Sequence, residues 1–205
     1  MTSPTTCDPS IEKLLSKPGI ASVLIVGVHT GKEAARFIEA GKQVTGVDLL
    51  PPYRNGYTHV RGRFESEEVY FPDYFDCAVS SHVLEHQESV GDFLRKFQRV
   101  LKPGGWLGLV VPGYPQDEFF VGHLTLWSPA LLLYNLVSIG WDCRQAEYYT
   151  TPDRKHVGVV VPNQPIPDLP TDNGWDIWGG LKTFLPVEFK HKMNAWLPDR
   201  WSAQE

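Results

Sequence analysis

Residues 74–112 read YFDCAVSSHVLEHQESVGDFLRKFQRVLKPGGWLGLVVP, and their pattern decides the fold. Residues 75–80 form an apolar run that breaks into small polar residues, as a buried strand does at its end. Further on, Phe93, Leu94, Phe97, Val100 and Leu101 fall on one face of a helix spanning 89–101. Ser89 is placed to cap that helix, with Asp92 in capping-box spacing. Pro103-Gly104-Gly105 stops it, and a new strand begins over 106–111. Two strands joined by a helical crossover lie parallel.

The same alternation extends outward. A short helix over 10–16 precedes SVLIVG at 22–27, a continuous apolar run suited to a strand buried on both faces. A helix over 32–40, ended by Gly41, leads to the strand QVTGVD at 43–48, which Pro51-Pro52 terminates. A weaker strand covers 57–61. Beyond the opening stretch, Ser128-Pro129 starts a helix that ends near Gly140. Strands over 142–150 and 156–161 follow without an intervening helix. The expectation is an α/β fold: a doubly wound, Rossmann-like, seven-stranded, mostly parallel sheet with a terminal antiparallel strand.

Three regions follow from composition: an N-terminal segment (1–19), the α/β domain (20–161) and a Pro/Trp-rich tail (162–205). The tail carries Trp175, Trp178, Trp196 and Trp201, too many to leave in water, so it is expected to pack on the core or to form a homodimer contact. About 40 residues seldom make an independent core. The net charge of −5, with no block of Lys or Arg, argues against a nucleic-acid partner. Cys7, Cys77 and Cys143 are odd in number and far apart, which fits free thiols in a reducing cytoplasm. No run of the sequence approaches a membrane span, so no membrane partner is expected.

The phrase FD…SSHVLEH…VLKPGG resembles the second half of the class I S-adenosylmethionine-dependent methyltransferases. The resemblance covers residues 20–161 and implies S-adenosylmethionine as cofactor. VLIVGVHTG at 23–31 aligns with the family's first motif. Gly27 and Gly31 match its flanking glycines, Val28 lies between, His29 stands at the middle glycine and Ile25 at a position often acidic. Glycines there let the backbone approach a ligand. A dinucleotide fingerprint fails, because Gly27, His29 and Lys32 occupy its three glycine positions. Asp48 matches the carboxylate that accepts ribose hydroxyls. Arg63 stands where many members place an adenine-binding Asp, so adenine is expected to stack on Phe64 or Leu49. Ser80 is expected to contact the cofactor through its backbone at the carboxyl edge of the sheet.

Among catalytic candidates, His82 lies near the transferable methyl in the family reading and can take a proton from the acceptor; His86 is the second candidate. His82-Val83-Leu84-Glu85-His86 also spells H-x-x-E-H, but a zinc site needs both histidines on one helical face and a third ligand. The segment follows directly on a strand, so no metal is expected. Leu50-Pro51-Pro52-Tyr53 looks like an amino-methylation motif, but Leu50 lacks the acceptor and the motif follows the wrong strand. His123 and Trp127 are the substrate-side candidates, with a helix-entry staple the alternative for Trp127. The resulting expectation is methyl transfer to an O or N of a small-molecule or sugar-like acceptor. The alternative is a non-catalytic scaffold with a degraded cofactor site, motivated by Ile25, His29 and Arg63.

Overall fold

The computed structural model describes residues 8–71, 74–113, 120–167 and 181–189. In chain order the elements are α1 (Asp8–Leu15), β1 (Ser22–Val26), α2 (Lys32–Glu39), β2 (Gln43–Asp48), β3 (Thr58–Arg61), β4 (Phe75–Ser81), α3 (Val90–Val100), β5 (Leu101–Pro112), α4 (Pro129–Ser138), β6 (Glu147–Thr150) and β7 (His156–Pro162). The seven strands make one sheet in the order β3-β2-β1-β4-β5-β7-β6. All neighbours from β3 to β5 are parallel, and β7 is antiparallel to both β5 and β6. The last strand in the chain is therefore the antiparallel one, inserted beside the edge rather than at it.

Alternate residues of the central strands bury toward opposite faces. Leu24 and Val26 join the layer formed with Phe93, Leu94 and Phe97 of α3 and Leu132 and Leu136 of α4. Val23 and Ile25 join the layer formed with Ile11 and Leu14 of α1 and Phe37 of α2. A strand covered on both sides needs side chains without polar groups, hence its unbroken apolar run. Ser89 caps α3 by accepting the Asp92 N–H at 3.4 Å, and Ser128 caps α4 by accepting the Leu131 N–H at 3.2 Å. Gly41 ends α2 with φ 74°.

Two boundaries differ from the sequence expectation by more than two residues. β5 begins at Leu101, not at 106, and Pro103-Gly104-Gly105 bulges between the pairs Phe75–Leu101 and Cys77–Trp106. Asn163 makes this junction possible. Its side-chain Nδ2 donates to the carbonyls of Gln98, Leu101 and Lys102 at 3.0–3.2 Å, satisfying the end of α3 from a distant segment. β6 begins at Glu147, not at 142, because the Asp142 carboxylate accepts the Arg144 N–H and guanidinium and turns the chain. Past the sheet, Ile166, Leu181, Leu185 and Phe189 join the α3/α4 layer. The four tail tryptophans named above lie outside the described residues. No helix among the described residues is long and apolar enough to cross a membrane.

Candidate functional site

Strand order reverses between β1 and β4, so their carboxyl ends open a crevice where such sheets bind ligands. The loop after β1 places alternate residues in the left-handed region: Gly27 at φ 80°, His29 at 46° and Gly31 at 72°. At Gly27 a Cβ would lie 2.3 Å from Val83 Cγ2, so glycine is required there by space as well as by conformation. His29 tolerates the left-handed conformation at a cost of about 1–2 kcal/mol. The result is a backbone N–H aimed at Asp48, whose Oδ2 accepts it at 2.8 Å. Asp48 Oδ1 accepts the Leu50 N–H at 3.0 Å. The Gly31 N–H closes the turn on the Val28 carbonyl at 2.8 Å.

Asp48 therefore ties the loops after β1 and β2 together. A carboxylate offers about four acceptor positions, and these two bonds use one on each oxygen. The half-buried group keeps capacity for a diol at the crevice. The imidazole of His29 is exposed, and Arg63 points into solvent beside Glu65, at 3.5 Å. Neither blocks the loop. Ile25 is packed in the α1/α2 layer and offers the crevice nothing polar. Val28 and Ser80 are each 1% exposed, backbone included, so the expected cofactor contacts at these two residues have no open surface here. Leu49 is exposed and available to an aromatic base.

Two expected site residues are core residues instead. Phe64 is 2% exposed, with its ring against Phe71, Phe93 and Phe97, so it has no free face for adenine. Trp127 is also 2% exposed and shares the α3/α4 layer with Leu132, four positions past the Ser128 cap. It is the staple at the entry of α4, not an acceptor contact.

The other candidates converge around a residue outside the expected set. Glu85 is 0% exposed. Its Oε1 lies 3.2 Å from His82 Nδ1 and 4.0 Å from the Nε2 atoms of both His86 and His123. His82, at φ 56°, adopts a conformation rare outside glycine, as residues at functional sites often do. Its ring meets His156 edge-on at 4.9 Å, and those of His86 and His123 meet the same way at 4.9 Å. Burial, with His82 alongside, lowers His156 below the ordinary imidazole value. The H-x-x-E-H spacing was the available sequence signal for Glu85; nothing local marked His156.

A reversed-order sheet with a glycine turn after its first strand and a carboxylate ending its second defines a nucleoside-binding α/β domain. Residues 24–109 match the family model of the methyltransferase domain, and the sheet shares its fold with solved methyltransferases. Among solved structures, the chain resembles a Burkholderia thailandensis 1,6-didemethyltoxoflavin-N1-methyltransferase bound to 1,6-didemethyltoxoflavin and S-adenosylhomocysteine. The identity is 20%, covering 76% of this chain and 77% of that one, with a TM-score of 0.63. The N-methyltransferase NodS of Bradyrhizobium japonicum is 14% identical over 76% and 93% of the two chains, with a TM-score of 0.59. The 4+2 cyclase SpnF is 18% identical over 78% and 80%, with a TM-score of 0.64, so the same fold also serves a different reaction. No curated protein sequence matches the chain.

Proposed function

We propose that this protein transfers the methyl group of S-adenosylmethionine to an oxygen or nitrogen of a small-molecule or sugar-like acceptor. The observation that carries the reading is Asp48, held by the His29 N–H at the carboxyl edge, where it can accept the ribose hydroxyls. The Gly27–Gly31 backbone would lie along the cofactor, and Leu49 would cover the base. The cofactor supplies an electrophilic methyl on a sulfonium. The chain's part is alignment, exclusion of water and uptake of one proton. His82 suits the last task, because Glu85 accepts from its Nδ1 and directs Nε2 outward as the base. The exposed apolar residues Phe120, Val121, Leu124 and Leu126, next to His123, would present an apolar rim to the acceptor.

Calorimetry with S-adenosylhomocysteine tests the cofactor site. Asp48→Asn removes the charge from two ribose bonds, each worth about 1.5 kcal/mol, so affinity should fall about a hundredfold. No heat from the wild-type chain at millimolar ligand would end the reading. For the acceptor step, release of S-adenosylhomocysteine is followed against a panel of small hydroxyl and amine compounds. His82→Ala should slow turnover on any active compound while cofactor affinity stays level; an unchanged rate removes His82 from the reaction.

A further inference from the structure

We propose that Glu85, His86 and His123 form a site for one divalent transition-metal ion of the zinc type. Their ligand atoms all lie within 4.8 Å of one another. The two segments that supply them are already fastened together. Glu85 and His86 end the 3-10 turn Leu84–His86 after β4, and the Leu124 N–H donates to the Glu85 carbonyl at 2.7 Å. His123 is thereby held over the turn from the loop that leads into α4.

The hydrogen bonds around the cluster point to a cation. His86 Nδ1 lies 2.8 Å from the Gly122 carbonyl, which only accepts, so that nitrogen carries the proton. Its Nε2 then turns a lone pair toward Glu85 Oε1 at 4.0 Å, and His123 Nε2 stands at 4.0 Å from the same oxygen. At 4.0 Å none of these contacts is a hydrogen bond. The lone pair of His86 Nε2 facing a carboxylate across that gap is repelled unless something positive lies between. A ring N–H bonded to a backbone carbonyl is also the arrangement that orients metal-binding histidines. Two further atoms of the cluster, Glu85 Oε2 and His123 Nδ1, are buried without a hydrogen-bond partner. Buried polar atoms are nearly always satisfied, and an ion held by both carboxylate oxygens of Glu85 would satisfy Oε2; His123 Nδ1, on the far side of its ring from Nε2, would not be satisfied by it.

The donor set names the ion. Two imidazoles and one carboxylate suit zinc-type ions, with bonds of about 2.0–2.2 Å and ligand atoms therefore about 3.4 Å apart. Side-chain adjustments of roughly an ångström close the present gaps. Three protein ligands leave a fourth position open, on the side where His86 is exposed. His82 is not a ligand here; it orients the carboxylate from outside. The proposed set is therefore not the H-x-x-E-H motif of the sequence analysis, since His82 is left out and His123 joins from beyond β5.

The full chain, stripped with a chelator, is titrated with zinc chloride by calorimetry and with cobalt(II) by visible absorption. The expected result is one ion per chain at micromolar affinity or tighter, with cobalt bands of tetrahedral intensity. His86→Ala and His123→Ala should each weaken binding at least tenfold, while circular dichroism confirms that both are folded. His59→Asn, on β3 away from the cluster, should bind as the wild type. Absence of uptake, or full affinity in both ligand variants, overturns the proposal. The site does not depend on methyl transfer. S-adenosylhomocysteine binding measured on the same metal-free samples bears on the proposed function alone.

Discussion

Gly27→Ala should be among the most damaging single-atom additions available in this fold. The residue sits at φ 80°, where an L side chain costs about 1–2 kcal/mol. The new methyl would also lie 2.3 Å from Val83 Cγ2, well inside contact distance. Overpacking of that kind costs about 1–3 kcal/mol. The sum is about 2–5 kcal/mol, or a loss of roughly 4–20 °C in melting temperature for a chain of this size. The two contributions separate in a double-mutant cycle measured by urea unfolding. Val83→Ala removes the clashing methyls, so the double variant should be more stable than the two single losses add to, by about 1–3 kcal/mol. The conformational part should remain in both backgrounds. Gly27→Ala with wild-type stability, or a cycle with no coupling, would refute the account of why glycine stands there.

Asp76 accepts bonds from the Ala21 and Ser22 N–H groups, the Ser22 hydroxyl and Lys102, and so clamps the start of β1 to β4. Burial alone would raise its carboxyl, but these donors hold it well below the ordinary range. Its contribution is therefore complete above the unfolded value of about 3.9 and is lost as pH falls through the lower folded value. Asp76→Asn should cost about 2 kcal/mol at pH 7 and progressively less below pH 4, measured by urea unfolding at both. A loss of equal size at pH 3 would contradict the clamp. Asn163→Ala should cost about 1–3 kcal/mol by orphaning the carbonyls that end α3. Asn163→Asp should be worse, since a carboxylate offers those carbonyls no donor; a tolerated aspartate in thermal unfolding would exclude the capping role.

The sheet was legible because its strands are short apolar runs between glycine, proline and capping residues, and β2 was read to the residue. The start of β5 was not, since Asn163, which secures the bulge at Gly104 and Gly105, arrives from the far end of the domain. The glycine-bearing turn after β1 was legible as a motif. What the sequence could not show was that His29 contributes its backbone N–H while its ring stays in solvent. Phe64 and Trp127 were misplaced for a shared reason. Each aromatic adjoins a site segment, and only the packing of α3 and α4 decides that their rings turn inward. Glu85 was visible in its motif, but its importance depends on His123 and His156, which separate loops bring to it.

The antiparallel strand has a consequence for synthesis on the ribosome. β5 can complete its hydrogen bonding on that side only when residues 156–162 arrive, and β6 has no neighbour until then. A nascent or truncated chain ending before His156 would present the long, apolar flank of β5 bare, a ready template for pairing with another copy. The arrival of residues 156–162 thus closes that edge against other copies.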